Sequence, residues 1–281
     1  MGLAALQRES MWAGLDDDVV REVCAHPRRA AAVREMIRHG VELYEANRLL
    51  NAVVSDRGRF LVAAFALHLH DAAPSGLTPA ALKAACVEHG VCSPGRTSAL
   101  IALMRWAGYL TPAAGGDRRL IPTDKLLDLH RVRLSGQLGV AAGLSPHAAR
   151  VLDRFGDDAM VYRFVGAQAE RFKRGFRLVD QAPVLLPFTE RIGGVLILAD
   201  LALADWPAEG RPVDLSVSAL SRRFSVSRVH VNGVLREAAQ GGLIVREGQS
   251  VRIAPALVEA LSGFFGAGLM LNICAARDAV A

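Results

Sequence analysis

Two stretches of this chain, Pro94–Leu110 (PGRTSALIALMRWAGYL) and Ser227–Leu243 (SRVHVNGVLREAAQGGL), can be laid one over the other without a gap. An internal repeat constrains the fold more than composition does, because each copy must be one and the same supersecondary unit. Both stretches have helical periodicity, with apolar residues at Leu100, Leu103 and Met104 and at Val231, Val234, Leu235 and Ala238. A residue able to cap a helix precedes each one, Ser93 or Ser225, and each ends in a glycine followed by an apolar residue. The likeness continues downstream, where TPAAGGDRRLIPTDKLLDL follows Leu110 and IVREGQSVRIAPALVEAL follows Leu243. Each reads as a short strand, a Gly-bearing turn flanked by arginines, a second strand and a helix opening near a proline. Upstream, shorter helices open at Thr78 and Ser216, and long apolar helices cover Phe60–His70 and Ile192–Leu203. The predicted order is helix, helix, turn, helix, two-stranded ribbon, helix, twice over. The first copy carries five more residues between its second and third helices, around Glu88 to Cys92.

Charge follows the same two segments. The net charge is +5, yet residues 75–131 carry +3 and residues 211–253 carry +4, leaving the rest of the chain at −2. A basic excess concentrated in the repeats points to a polyanionic partner. With 52% hydrophobic and 22% charged residues, the chain is globular and leans towards an all-helical body. Outside the repeats, residues 17–54 read as helices, with Val33, Ile37, Val41, Tyr44, Leu49 and Leu50 near helical spacing. Residues 147–177 read as one long connecting helix whose arginines (Arg150, Arg154, Arg163, Arg171, Arg174) form a solvated face. The expected organisation is N-terminal helices over 1–55, a first unit over 56–135, a connecting helix region over 136–188, and a second unit with a C-terminal helix over 189–281.

Residues 214–253, DLSVSALSRRFSVSRVHVNGVLREAAQGGLIVREGQSVRI, resemble the DNA-binding core of bacterial winged helix-turn-helix regulators of the MarR and Crp/Fnr kind. The residues that carry the resemblance are Leu220, Phe224, Val226, Ser227, Arg228, Val231, Leu235, Gly242, Leu243, Ile244 and the wing glycine Gly248. It implies a mainly α fold with small β wings, two winged helix-turn-helix units joined by a long helix, and the function of a sequence-specific transcription regulator on double-stranded DNA. The chemistry of the residues agrees. Ser225, Ser227, Arg228, His230, Asn232 and Arg236 supply polar and cationic groups for base edges, where Arg suits guanine and Asn suits adenine. Arg222 and Arg223 end the preceding helix, as phosphate contacts do, and Arg246, Gln249, Ser250 and Arg252 lie on the ribbon. In the first copy the corresponding candidates are Arg96, Thr97, Ser98, Arg105, Arg118 and Arg119. Two such helices in one chain would act as a fused dimer on an asymmetric site.

Rival readings are a plasmid-type replication initiator, which also pairs two such units, and a winged-helix protein–protein scaffold that binds no DNA. No enzyme motif is present: there is no GxxxxGK[ST], HExxH, GxSxG or strand-to-helix GxGxxG. Cys86, His89 and Cys92 have the side chains for a metal, but no CxxC pair exists, and neither a metal nor a cofactor is expected. Four cysteines make no disulfide framework, no secretion signal is legible, and the location read from this is the cytoplasm, on the nucleoid. The apolar run Ala260–Ala276 reads as too short and too interrupted to span a membrane, and it lies in a helical tail, Ala256–Ala276. It serves equally as core or as the surface of a homodimer, for which the N-terminal helices are the other candidate.

Overall fold

The computed structural model describes residues 12, 14–46, 56–114 and 118–281, and the chain is mainly helical with small antiparallel sheets. Leu49 and Leu50 lie outside the described residues, as do residues 115–117, where the sequence predicts the first ribbon's Gly-bearing turn. The chain divides into two compact units, one of residues 1–26, 57–177 and 270–281, the other of residues 27–56 and 178–269.

The first unit is built around α3 (Arg57–Ala72), after α1 (Asp17–Ala25) and α2 (Arg29–Ala46) in the chain; α2 belongs to the other unit. Leu61 to His68 of α3 are all buried, so the helix is core on every side, as its unbroken apolar run requires. Next come α4 (Pro79–Glu88), α5 (Pro94–Trp106), β1 (Leu110–Pro112), β2 (Leu120–Pro122), α6 (Asp124–Ala142), α7 (Pro146–Asp153) and α8 (Asp158–Lys173). α8 packs along α3, where Phe65 meets Phe172 edge-on at 5.9 Å between ring centres.

The single connecting helix read over 147–177 is two helices. Pro146 opens α7, which ends at Asp153, and the Asp157 carboxylate then accepts from Ala159 N at 3.0 Å to start α8. A capping carboxylate beside Gly156 interrupts a helical pattern that side-chain spacing alone carries through. Nor are its arginines one solvated face. Arg150, Arg154, Arg163 and Arg174 are exposed, whereas Arg171 is 2% exposed. Arg171 donates to Asp278 at 2.8–2.9 Å, to Asp16 at 2.7 Å and to the Gly14 carbonyl at 3.2 Å, tying three distant segments of the unit together.

The second unit holds α2, α9 (Leu186–Thr189), α10 (Gly194–Ala204), β3 (Pro212–Asp214), α11 (Val217–Arg223), α12 (Arg228–Gln240), β4 (Ile244–Glu247), β5 (Ser250–Ile253) and α13 (Pro255–Val280) up to Leu269. α2 and α10 pack together, and Val33, Ile37, Val41 and Tyr44 are buried at the helical spacing read from the sequence. Gly194 is required at the start of α10, because a Cβ there would lie 2.5 Å from the Phe188 carbonyl. α13, at 26 residues, is longer than the tail read from the sequence, and by length and composition it is long and apolar enough to cross a membrane. In this fold 56% of its apolar window is buried, and Gly263, Gly266 and Gly268 lie against Gln181, Val33 and Leu178 in the second unit.

Arg171 makes a testable ledger. Burial raises the Asp16 pKa, but the hydrogen bond and charge of Arg171, with Arg277 beside it, outweigh that and hold the carboxyl below its ordinary value. A pKa depressed on folding stabilises fully above the unfolded value, and that gain is lost as pH falls through the folded one. Arg171→Met should cost about 3 kcal/mol at neutral pH, at the low end for a broken buried pair because both carboxylates keep some water. Urea unfolding from pH 7 to pH 2 should also show the wild type losing its advantage over the variant below about pH 4.

Candidate nucleic-acid interface

In the second unit the site is built by a helix, a locked turn and a second helix. Ser216 Oγ accepts from Ala219 N at 3.2 Å and starts α11, and Phe224, fully buried, ends it. Ser225 then takes a left-handed conformation (φ 52°), and the turn closes through Val226 N to Ser221 O (3.1 Å) and Ser221 Oγ to Val226 O (2.6 Å). The cap of α12 is Ser227, whose Oγ accepts from His230 N at 3.1 Å. The serine taken from the sequence as that cap, Ser225, instead makes the turn, because a left-handed residue cannot extend into a cap.

α12 buries Val231, Val234, Leu235 and Ala238, and the pattern forces the opposite face outward. On that face Arg228, Val229, Arg236 and Gln240 are exposed, with Asn232 and Gly233 half-exposed between them. The helix ends at Gly242 (φ 68°) with Leu243 N donating to Ala238 O at 2.9 Å, the left-handed terminus glycine favours. β4 and β5 pair antiparallel from Ile244↔Ile253 to Glu247↔Ser250, with Gly248 (φ 61°) at the tip. β3 adds a third strand on β5, from Pro212↔Arg252 to Asp214↔Ser250, so the sheet order is β3-β5-β4 rather than the two-stranded ribbon expected. Pro212–Asp214 is too short to give a period, which is why it was not legible.

The sequence-derived residues separate by what they touch. Arg222, Arg228, Arg236 and Arg246 are exposed and make no ion pair among the described residues. Gln249 is exposed at the sheet tip, and Ser250 Oγ donates to Glu247 O at 3.1 Å. Arg223 is not available as a phosphate contact: its Nη1 donates to Asp200 at 2.5 Å, across to α10. Arg252 is held by Glu247 at 2.9 and 3.0 Å and by the Gly210 carbonyl at 2.7 Å. His230 turns its Nε2 to the Ile192 carbonyl at 2.9 Å, and Asn232 Nδ2 donates back to Arg228 O at 3.1 Å.

Three residues that the sequence reading passed over belong to this surface. Val229 stands 81% exposed near the start of α12. Arg191 pairs with Glu237 at 2.5 Å, and together with Val229, Gly233, Arg236 and Gln240 they line a shallow cleft of about 520 Å³. Helical arithmetic from the buried set would have found Val229; nothing in the sequence places Arg191 there.

The first copy repeats the backbone with a different surface. Thr78 caps α4, Gly90 (φ 64°) stands in the turn, Ser93 caps α5 and Gly108 (φ 74°) ends it. Ser93 therefore answers to Ser227 and Tyr109 N to Met104 O answers to Leu243 N to Ala238 O. The true register is one residue away from the ungapped match, which set Pro94 against Ser227. Most of the extra length is in α4, 10 residues against 7 in α11, and not in the turn. In this register Thr97, Leu100, Ile101 and Met104 are the buried face; Leu103, assigned inward from the sequence, is half-exposed.

Thr97, offered as a base-reading residue, is fully buried, with its Oγ1 donating to the Ser93 carbonyl at 3.0 Å. Arg96 is half-buried; Ser98, Arg105, Arg118 and Arg119 are exposed. The outward stripe of α5 is Gly95, Ser98, Ala99 and Ala102, ending at Trp106, which is 85% exposed. β1 and β2 form a two-stranded pair, and in place of a third strand the Leu77 carbonyl accepts from Leu120 N at 2.7 Å. Of the metal-type side chains nearby, Cys86 is buried with its thiol pushed up to about 12 by burial, and His89 stacks on Phe65. Compared with family models, curated proteins and solved structures, the chain gives no match.

The capping geometry has a direct test. Ser227→Ala should cost about 1 kcal/mol of stability, the value of a lost N-cap. Ser225→Gly should be neutral or slightly stabilising, since glycine takes a positive φ without strain. Denaturant unfolding of the two variants would show the reverse order if Ser225 were the cap.

Proposed function

We propose that this protein is a sequence-specific DNA-binding transcription regulator, in which α11, the turn, α12 and the β3-β5-β4 sheet act as a winged helix-turn-helix unit of MarR or Crp/Fnr kind. The observation that carries the reading is the outward face of α12. It is polar and cationic, stands opposite a fully buried apolar face, and is flanked by exposed arginines on both neighbouring elements. A helix of this kind fits the major groove with its first turns at the base edges. Arg228 and Arg236 then serve as base readers, Asn232 as an adenine reader once it gives up its local bond to Arg228 O, and Ser227 as the cap that fixes the helix start. Arg222 and Arg246 take the phosphates. Arg223, Arg252 and His230 hold the unit's own shape. On this reading the protein works in the cytoplasm on nucleoid DNA, without a cofactor and without enzymatic activity.

One observation favours a second reading for the first copy. The stripe Gly95, Ser98, Ala99, Ala102 and Trp106 has neither the charge nor the amide groups of its counterpart, and an exposed tryptophan at its end suits a protein surface better than a base edge. Sequence choice is therefore assigned to α12 alone.

Selection of duplexes from a random library by the full chain, followed by binding titrations, tests both readings. Arg228→Ala should lose about 1–3 kcal/mol on the selected site and little on random DNA. Equal losses on both would make Arg228 a phosphate contact only. Arg222→Ala should weaken all sequences alike and lower the salt slope by about 1, whereas Arg223→Ala should leave that slope unchanged. Ser98→Ala should leave the selected sequence unaltered; a changed sequence would restore the first copy as a reader.

A further inference from the structure

Val229 is the one large apolar side chain exposed on the outward face of α12. It is 81% exposed, so it contributes no core packing. A β-branched residue there also brings no helix propensity that alanine would not exceed. Its surroundings are specific. Arg228 precedes it, Asn232 and Gly233 lie one turn on, and Arg236 stands beyond them; all are outward, and both arginines are free of ion pairs among the described residues. Gly233 adds no side chain, and the Arg191 guanidinium, 3.6 Å from where a Cβ there would lie, walls one side of the cleft that Val229 borders. The residue is therefore an isolated apolar knob in the first turn of a cationic helix.

A polyanion groove offers such a knob one apolar partner. In the major groove the base edges present hydrogen-bond donors and acceptors, and the only apolar group among them is the C5-methyl of a pyrimidine. We infer, resting on the DNA-binding reading above, that Val229 is a specificity residue that packs on a C5-methyl group in the major groove, between bases read by Arg228 and Asn232. Thymine carries that methyl, and so does 5-methylcytosine. The shared chemistry is the methyl group, and the two sources are separable by substitution in the DNA.

The experiment uses the full chain and the duplex it selects. Each thymidine of that duplex is replaced in turn by deoxyuridine, which removes the methyl and leaves every hydrogen-bonding group in place. In parallel, each cytidine is replaced by 5-methylcytidine. Wild-type protein should lose about fourfold in affinity at one thymidine, the value of about one methyl-sized apolar group removed from water. If 5-methylcytosine is the natural partner, the matching outcome is a gain of similar size at one cytidine. Val229→Ala, which touches no core, should flatten that one position and leave the effects at the others intact. Val229→Ile should retain it. No methyl-sensitive position with wild-type protein, or one that persists in Val229→Ala, would overturn the assignment while sequence-specific binding stands. A chain that selects no sequence would overturn the DNA reading itself.

Discussion

The inward face of α12 is the constraint on which the second unit's surface depends. Burying Val231, Val234, Leu235 and Ala238 removes mostly apolar surface from water, about 1.5–3 kcal/mol for each of the larger side chains. With 3.6 residues per turn, that burial leaves the helix no rotational freedom. Arg228, Val229, Asn232 and Arg236 then face outward whatever their own preferences. The start of the helix is fixed independently, by the Ser227 cap and by the turn closed between Ser221 and Val226. Phase and origin together decide which side chains stand in the first two turns, the part of a helix that would make base contact on the proposed reading.

The first copy keeps that constraint and discards its product. Thr97, Leu100, Ile101 and Met104 occupy the buried positions of Val231, Val234, Leu235 and Ala238, and the same backbone hydrogen bonds close both helices. Outward, the positions of Val229, Asn232, Gly233, Arg236 and Gln240 hold Gly95, Ser98, Ala99, Ala102 and Trp106. Packing tolerates only apolar or satisfied residues inside, so the buried positions agree in kind. Nothing in packing restrains the outside, so a fold shared by two copies carries no claim to a shared function.

The helices were legible in the sequence because long apolar periods, capping residues and terminal glycines all act locally. Thr78, Ser93 and Ser216 cap as their positions suggest. The failures also have local causes. Two serines two residues apart are chemically alike, and only the positive φ of Ser225 separates a turn from a cap. That ambiguity of a residue or two is also what displaced the repeat by one position, moved Thr97 from surface to core and set Leu103 inward. The break between α7 and α8 was hidden because its signals, Gly156 and Asp157, sit within a pattern that stays amphipathic across it. Pairings between distant segments were not legible at all, since neither Arg171 with Asp16 and Asp278 nor Arg223 with Asp200 leaves a trace in spacing.

Those pairings bear on the candidate site as much as on stability. Sequence treats every arginine of the basic segment as equally available, and charge alone makes seven of them candidates between 211 and 253. The fold sorts them. Arg223 answers Asp200, Arg252 answers Glu247, and Arg211 answers Asp205, each a carboxylate already within reach. A phosphate would have to displace that partner before gaining anything, so these three would add little to any phosphate contact. Arg222, Arg228, Arg236 and Arg246 have no such competitor among the described residues, and a phosphate or guanine meets them at no cost in broken pairs. Arg191 is the intermediate case. It is committed to Glu237, yet the pair borders the cleft on the outward face of α12, and so it sets the side wall against which Val229 and Arg236 are presented.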